Sequence, residues 1–212
     1  MPTKRSVVRA VALIGGLSLL ASSAWAQITL TPYAGSFYGF GKLVNILNGT
    51  LTAEQTNTAV FGARLSFPIG AVFSVEGAAA YANSDVLLRI PDDCVSNSTG
   101  GTFDCSTSFT GSAILGSVRM LFRPRRSNLN FLAGVAVASH GGEAWKGLNG
   151  TTDFGGVVGF GLRASITPKI TINMTAECYL YSFDPDEGAN LFNSQMQEDV
   201  LFTVGIPISI TH

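Results

Sequence analysis

The sequence has little charge. Asp, Glu, Lys and Arg together make up 13% of its 212 residues, and the formal net charge at pH 7 is −1. Soluble domains usually carry about 25% charged residues, so a large part of this surface would be poorly solvated unless something other than water covers it. The balanced charge offers no basic patch of the kind that binds nucleic acid. We therefore expect no nucleic-acid partner.

Residues and motifs that carry common chemistries are also scarce. The chain has two histidines, His140 and His212. It has no glycine-rich nucleotide loop and no His or Cys cluster with metal-ligand spacing. The sequence therefore predicts no cofactor, no metal site and no enzymatic activity.

Long hydrophobic runs are missing except near the start. Residues 1–26 combine three early basic residues, a short apolar run at 11–20 and the small-x-small signal Ala24-Trp25-Ala26. These are the features of a secretory signal peptide, and the apolar run is shorter than the roughly 20 residues that span a bilayer. We predict a removed signal peptide at 1–26 and one exported domain at 27–212, with a permanent N-terminal membrane anchor as the alternative.

Cysteine occurs three times. Cys94 and Cys105 flank a polar, glycine-rich segment, and in an exported protein such a pair predicts a disulfide that closes a loop. The alternative is a metal site with the neighbouring residues Asp92, Asp93 and Asp104, which lack ordered ligand spacing. Cys178 has no obvious partner and is expected to be a buried or lipid-facing residue of an apolar strand.

The chain after residue 27 alternates between apolar and polar residues with a period of two. Near the end, Phe202, Val204 and Ile206 share one face, and Thr203 and Gly205 share the other. This alternation is typical of strands with one apolar face, and no segment has a helical stripe. We predict eight strands, at about 28–40, 57–68, 71–84, 107–123, 129–141, 153–166, 170–183 and 198–211.

The connections between these strands alternate in length. Short proline-bearing turns join the second to the third strand, the fourth to the fifth and the sixth to the seventh. Long polar connections lie at about 41–56, 84–106, 142–152 and 184–197. All short turns then fall at one end and all long loops at the other, as in outer-membrane barrels. The sequence predicts an all-β fold, an eight-stranded antiparallel transmembrane up-and-down β-barrel.

Charged residues in the middle of the predicted strands all fall on the polar, glycine-rich face. A basic residue that faces lipid near the midplane costs about 2–4 kcal/mol, so we expect this face to line the lumen. Unpaired charges in a desolvated bore would be costly, so Arg and Glu side chains should pair there. The predicted lumen network consists of Arg64, Glu76, Arg119, Arg163 and Glu177.

The pattern resembles the small bacterial outer-membrane β-barrels of the OmpA-transmembrane-domain and OmpX type. The resemblance covers the mature chain and rests on the signal peptide, the eight alternating segments, the short turns and the long loops. It implies a bacterial outer-membrane location, contact with outer-membrane lipids and lipopolysaccharide, and insertion by the barrel-assembly machinery. The final strand of these barrels usually ends in an aromatic residue, whereas this chain has His212 at that place.

The expected function is that of a non-enzymatic outer-membrane protein with a structural or surface-interaction role. Long loops often carry binding, so an extracellular ligand at the loops is an expected partner. Eight strands leave an interior that side chains can fill, and the Arg/Glu network would close it further. We therefore expect little or no steady conductance.

Two alternatives stay open. The first is a lipid-A-modifying enzyme that uses His140 with Ser139 and Glu143. Adjacent strand residues point to opposite faces, so Ser139 and His140 are badly placed to share a proton, and His140 is expected to be a rim residue in contact with water. The second alternative is a soluble, exported, lipocalin-like barrel whose apolar face points inward and binds a hydrophobic ligand.

Overall fold

The computed structural model describes residues 28–40, 42–46, 51–95, 102–146, 152–168, 170–183 and 195–210, with side chains at 28–40, 54–88, 106–146, 152–168, 170–182 and 196–210. One short 3-10 turn, Glu143–Trp145, accompanies the strands in these ranges. Within the same ranges, no helix is long and apolar enough to cross a membrane. The strands are β1 Ile28–Phe40, β2 Lys42–Ile46, β3 Leu51–Gln55, β4 Thr58–Pro68, β5 Phe73–Ala82, β6 Val86–Val95, β7 Thr102–Phe109, β8 Gly111–Phe122, β9 Leu129–Gly142, β10 Thr152–Thr167, β11 Ile170–Phe183, β12 Gln195–Gly205 and β13 Ile208–Ile210.

Eight of these strands close an antiparallel barrel. Around the barrel the order is β1, β4, β5, β8, β9, β10, β11 and β12, and β12 pairs back with β1. The closing pair runs from Tyr33 opposite Gly205 to Phe40 opposite Glu198. Pro207 has no N–H to donate, and the last strand is divided there into β12 and β13, which continues the pairing with the start of β1. The predicted fold class is confirmed, because each predicted strand coincides with one position in this barrel.

Two of the four segments that we predict to be long loops contain strands instead. The segments 41–56 and 84–106 contain β2, β3, β6 and most of β7, which form a second, four-stranded sheet in the order β2-β3-β6-β7. Strands β3 and β6 pair from Thr52 opposite Arg89 to Gln55 opposite Val86. Both hairpins leave the barrel at its long-loop end, and their backbone groups satisfy each other's hydrogen bonds. Their many polar residues concealed this pairing in the sequence.

The barrel has an apolar outer face. The outward side chains of Phe61, Val135 and Phe154 are 61%, 67% and 82% exposed, whereas the inward side chains of Phe37 and Leu201 are fully buried. A surface of this kind suits contact with hydrocarbon rather than with water. The soluble alternative required the apolar face to point inward, so it is wrong.

Candidate functional site in the barrel lumen

Four charged side chains from four barrel strands meet in the middle of the lumen, and we call them the central network: Arg64, Glu76, Arg119 and Glu177. Glu76 Oε1 lies 2.6 Å from Arg119 Nη2 and 4.0 Å from Arg64 Nε. Glu177 uses both oxygens, with Oε1 2.7 Å from Arg64 Nη2 and Oε2 2.7 Å from Arg119 Nη1. Each carboxylate therefore contacts both arginines, and the four charges sum to zero.

Strand register and small neighbours place these side chains. Glu76 stands directly opposite Arg119 in the β5–β8 pairing. Gly62 leaves room for the ring of Tyr33, because a Cβ at position 62 would come within 2.4 Å of that ring. The Tyr33 ring in turn lies 4.0 Å from Arg64 Cζ, and its hydroxyl donates to the Ala79 carbonyl at 3.0 Å. The Tyr33 ring, which packs over Gly62, thus holds the Arg64 guanidinium in place.

The central network is almost fully shielded from solvent, since none of its four residues is more than 4% exposed. A buried charge costs several kcal/mol unless pairing and hydrogen bonds compensate it. Here hydroxyl groups from neighbouring lumen positions add hydrogen bonds to both the arginines and the carboxylates. These hydroxyls belong to Ser66, Thr175, Tyr179 and Thr203.

The fifth predicted member, Arg163, lies apart from the central network. It lines a cavity of about 240 Å³ that extends from the network toward the short turns, and we call this cavity the short-turn vestibule. Arg123, Asn130 and Asn173 line it as well. Arg123 follows β8 directly and continues the inward parity of Arg119, so applying that parity to the end of the predicted strand 107–123 would have placed it in the lumen.

A second polar cluster lies toward the long-loop end of the lumen. The Tyr181 hydroxyl donates to Asp199 Oδ2 at 2.8 Å and lies 3.2 Å from His140 Nε2. The Trp145 ring packs 4.6 Å from the His140 ring, centroid to centroid, and leaves His140 only 4% exposed. The prediction of a rim histidine in contact with water is wrong, because the 3-10 turn places a tryptophan over it. The inward parity of Thr203 extends to Asp199 and could have found it.

The structure does not bring Ser139, His140 and Glu143 together. Ser139 shares a hydrogen bond with Thr152 at 3.0 Å, between their hydroxyl oxygens, on the other side of the strand from His140. Glu143 lies on the surface, where its carboxylate is 3.5 Å from Lys146 Nζ. Among the described residues, no group of three or more His, Cys, Asp and Glu side chains is arranged to hold a metal ion.

Several predicted features fall outside the described parts of the chain. Cys94 and Cys105 lie on the β6–β7 hairpin, but their side chains are outside the described ones, so the disulfide stays a prediction. The same holds for the alternative metal ligands on that hairpin. The signal peptide at 1–26 and His212 lie outside the described residues. Cys178 is a half-buried free thiol.

One solved structure with a similar fold is that of an outer-membrane protein. The chain is similar to OprG from Pseudomonas aeruginosa, with 11% identity and a TM-score of 0.52 over 87% of this chain and 97% of that one. It is also similar to Ail, the attachment invasion locus protein of Yersinia pestis, solved with the heparin analogue sucrose octasulfate, with 14% identity and a TM-score of 0.42 over 86% and 99% of the two chains. Neisserial surface protein A has 10% identity and a TM-score of 0.36 over 86% and 97%. No protein-family model and no curated protein matches the chain.

Proposed function

We propose that this chain, which has the fold of the small eight-stranded outer-membrane barrels, is a non-enzymatic protein of the bacterial outer membrane. The central network closes its bore, and its long-loop end has a structural or surface-interaction role. The observation that carries the proposal is the separation of the two faces: the network charges are buried in the lumen, and large apolar side chains cover the outside. This separation suits a sealed barrel in lipid.

The apolar outer face supports outer-membrane lipids and lipopolysaccharide as partners. Exposed apolar side chains follow the barrel strands from the short-turn end, as at Phe67, to the long-loop end, as at Phe154. In water such a surface would promote aggregation. Folding in the bilayer avoids this, and insertion by the barrel-assembly machinery is part of the proposal.

Large side chains support closure of the bore beside the central network. Phe37, Tyr179 and Leu201 point inward and are at most 1% exposed, and Tyr33 is 5% exposed. Eight-stranded barrels are narrow enough for side chains to fill. A solute would have to displace both these side chains and a set of matched charges.

The second sheet supports an interaction role at the long-loop end. Pairing of β3 with β6 joins two hairpins that leave the barrel between different strand pairs. Backbone hydrogen bonds give such a surface a defined shape, which lowers the entropy lost on binding. An extracellular ligand at these hairpins is therefore part of the proposal.

The membrane location is tested by fractionation followed by gel mobility in mild detergent, with and without boiling. We expect the protein in the outer-membrane fraction, released only by detergent, and a folded band that shifts when the sample is boiled. A protein that is released from the periplasm without detergent and shows no heat-dependent shift would contradict the proposal.

Closure is tested by current recordings in planar bilayers. We expect no steady current steps from the wild type. A variant with Ser at all four positions of the central network should conduct, because it replaces four long side chains with short ones and leaves no unpaired member of the network behind. Arg125→Ser is the matched control, since it removes an exposed arginine outside the lumen and should stay silent. Large, well-defined current steps from the wild type would overturn the closed bore.

A further inference from the structure

The short-turn vestibule carries positive charge that no carboxylate neutralises among the side chains that the structure describes. The central network above it is neutral by itself, since its two arginines contact its two glutamates. Arg123 and Arg163 also line the vestibule, and their positive charges repel each other. Among the residues whose side chains are described, neither makes an ion pair.

Besides Arg64 Nε of the central network, four buried polar atoms around the same cavity have no hydrogen-bond partner among the described residues. These are the Nε donors of Arg123 and Arg163 and the Oδ1 acceptors of Asn130 and Asn173. Buried polar groups in proteins are nearly always hydrogen-bonded. Water could satisfy the hydrogen bonds, but it would not neutralise the two guanidinium groups. The cavity therefore suits an anion that accepts hydrogen bonds and also donates one.

A glycine on the neighbouring strand makes room for the side chain of Asn130, which is 4% exposed. Gly161 stands opposite Asn130 in the β9–β10 pairing. A Cβ at position 161 would lie 2.6 Å from Asn130 Oδ1, so any larger residue would displace the amide. The glycine thus allows a polar side chain to occupy a lumen position beside the vestibule.

We propose that the short-turn vestibule binds a hydrogen phosphate ion. The N–H groups of an arginine form a fork that matches phosphate oxygens, and two such forks line one cavity. Hydrogen phosphate also keeps a proton that it donates to an asparagine Oδ1. Sulfate and a lipid phosphodiester have no proton to donate at neutral pH, so the free ion fits the site better than either.

The ion enters from the short-turn end. The lining runs from Arg64 and Glu76 of the central network to Pro68 and Ser209 at the strand ends beside the short turns. In the proposed orientation this end faces the periplasm. The site goes beyond the proposed function, and its occupancy does not depend on whether the bore conducts.

The test is isothermal titration of the refolded protein, in a phosphate-free buffer and an uncharged sugar detergent, with sodium phosphate. We expect saturable binding at one site. Arg123→Gln and Arg163→Gln should each weaken it about tenfold or more, since a hydrogen bond between charged groups contributes at least that factor. The matched control is Arg125→Gln with Arg126→Gln, which removes two exposed charges from the same turn and should leave the affinity unchanged.

A second variant keeps the test decisive if Arg163→Gln does not fold. Asn173→Glu places a carboxylate opposite Arg163 in the β10–β11 pairing and should abolish phosphate binding while the heat-modifiable band persists. No saturable binding by the wild type, or an equal loss in the control pair, would overturn the proposal.

Two further titrants identify the source of the phosphate group. Sodium sulfate should bind clearly more weakly than phosphate, and equal affinities would overturn the assignment of the asparagines as proton acceptors. Glycerophosphoglycerol represents a lipid headgroup as a soluble diester and is expected to bind weakly. Tighter binding of this diester than of phosphate would overturn the free ion as the ligand and assign the site to a headgroup.

Discussion

The lumen contains two pairs of arginines in opposite circumstances. Arg64 and Arg119 each contact carboxylates in the middle of the barrel, whereas Arg123 and Arg163 line a cavity and make no ion pair among the described side chains. Register explains the difference between Arg119 and Arg163. The residue directly opposite Arg119 is Glu76, and the residue directly opposite Arg163 is Asn173. One pair is therefore neutralised within the fold, and we propose that the other pair binds an anion from outside.

The largest effect is expected from Arg119→Ala, which removes one of the two arginines that are paired with glutamates. The substitution leaves the two buried carboxylates of Glu76 and Glu177 with only Arg64 as a charged partner, and this uncompensated negative charge should cost about 3–5 kcal/mol. Urea unfolding in lipid vesicles, followed by loss of the heat-modifiable band, measures it. Arg125→Ala is the control and should change the unfolding free energy by less than about 0.5 kcal/mol. A loss of that small size for Arg119→Ala would show that the central network contributes little to stability.

Val135→Arg creates a third environment for an arginine, with neither a carboxylate nor a lumen around it. Val135 is 67% exposed in the middle of β9, so the new charge should face hydrocarbon and cost about 2–4 kcal/mol.

Thr152→Arg controls for depth in the same unfolding assay. Thr152 begins β10 at the long-loop end, and the change there should cost about 0–1 kcal/mol. Equal effects at the two positions would contradict a lipid-facing outer surface.

Gly62→Ala disturbs the geometry of the paired arginines without changing any charge. Its Cβ would lie 2.2 Å from the Ala79 carbonyl oxygen and 2.4 Å from the Tyr33 ring, so the ring over Arg64 must shift. Overpacking of this kind costs about 1–3 kcal/mol. The same urea titration applied to Gly77→Ala, where the new methyl group meets open space, should give almost no change; similar losses in both variants would exclude overpacking as the cause.

The smallest effect is expected from Asn173→Glu, which gives Arg163 a carboxylate partner on the neighbouring strand. In phosphate-free buffer the new carboxylate should stabilise the barrel by up to about 1 kcal/mol, because it neutralises a half-buried guanidinium in a water-accessible cavity. Added phosphate should raise the unfolding midpoint of the wild type and leave that of the variant unchanged. A variant that phosphate still stabilises would place the anion elsewhere.

The sequence was informative about the barrel because the barrel imposes a simple rule on it. Each strand alternates between lipid and lumen, so period and parity alone placed Arg64, Glu76, Arg119 and Glu177 on one side. The contacts between particular carboxylates and arginines depend on the register between strands. The period-two alternation within a strand does not determine that register. Strands β5 and β8, which hold Glu76 and Arg119, are neighbours in space although a 28-residue segment from Asn83 to Thr110 separates them.

The sequence did not predict the strands whose composition is mainly polar. The segments that form the second sheet were interpreted as loops because they are rich in polar residues, yet β3 and β6 satisfy each other's backbone groups. Asp199 and Arg123 were missed for a different reason, since each lies near the end of a predicted strand and the predicted network includes only charges in the middle of the strands. Arg123 is four residues from Arg119 and Asp199 is four residues from Thr203, so applying the alternation to the whole length of each predicted strand would have found both.

The pairing of β3 with β6 also limits how this surface can evolve. A one-residue insertion or deletion within either strand would shift the register and turn every following side chain to the opposite face, so length changes there are costly. Substitutions on these strands leave the backbone ladder intact. Under selection, the outward chemistry of the hairpins can therefore diversify residue by residue while their shape is inherited, and the two hairpins must vary as one unit.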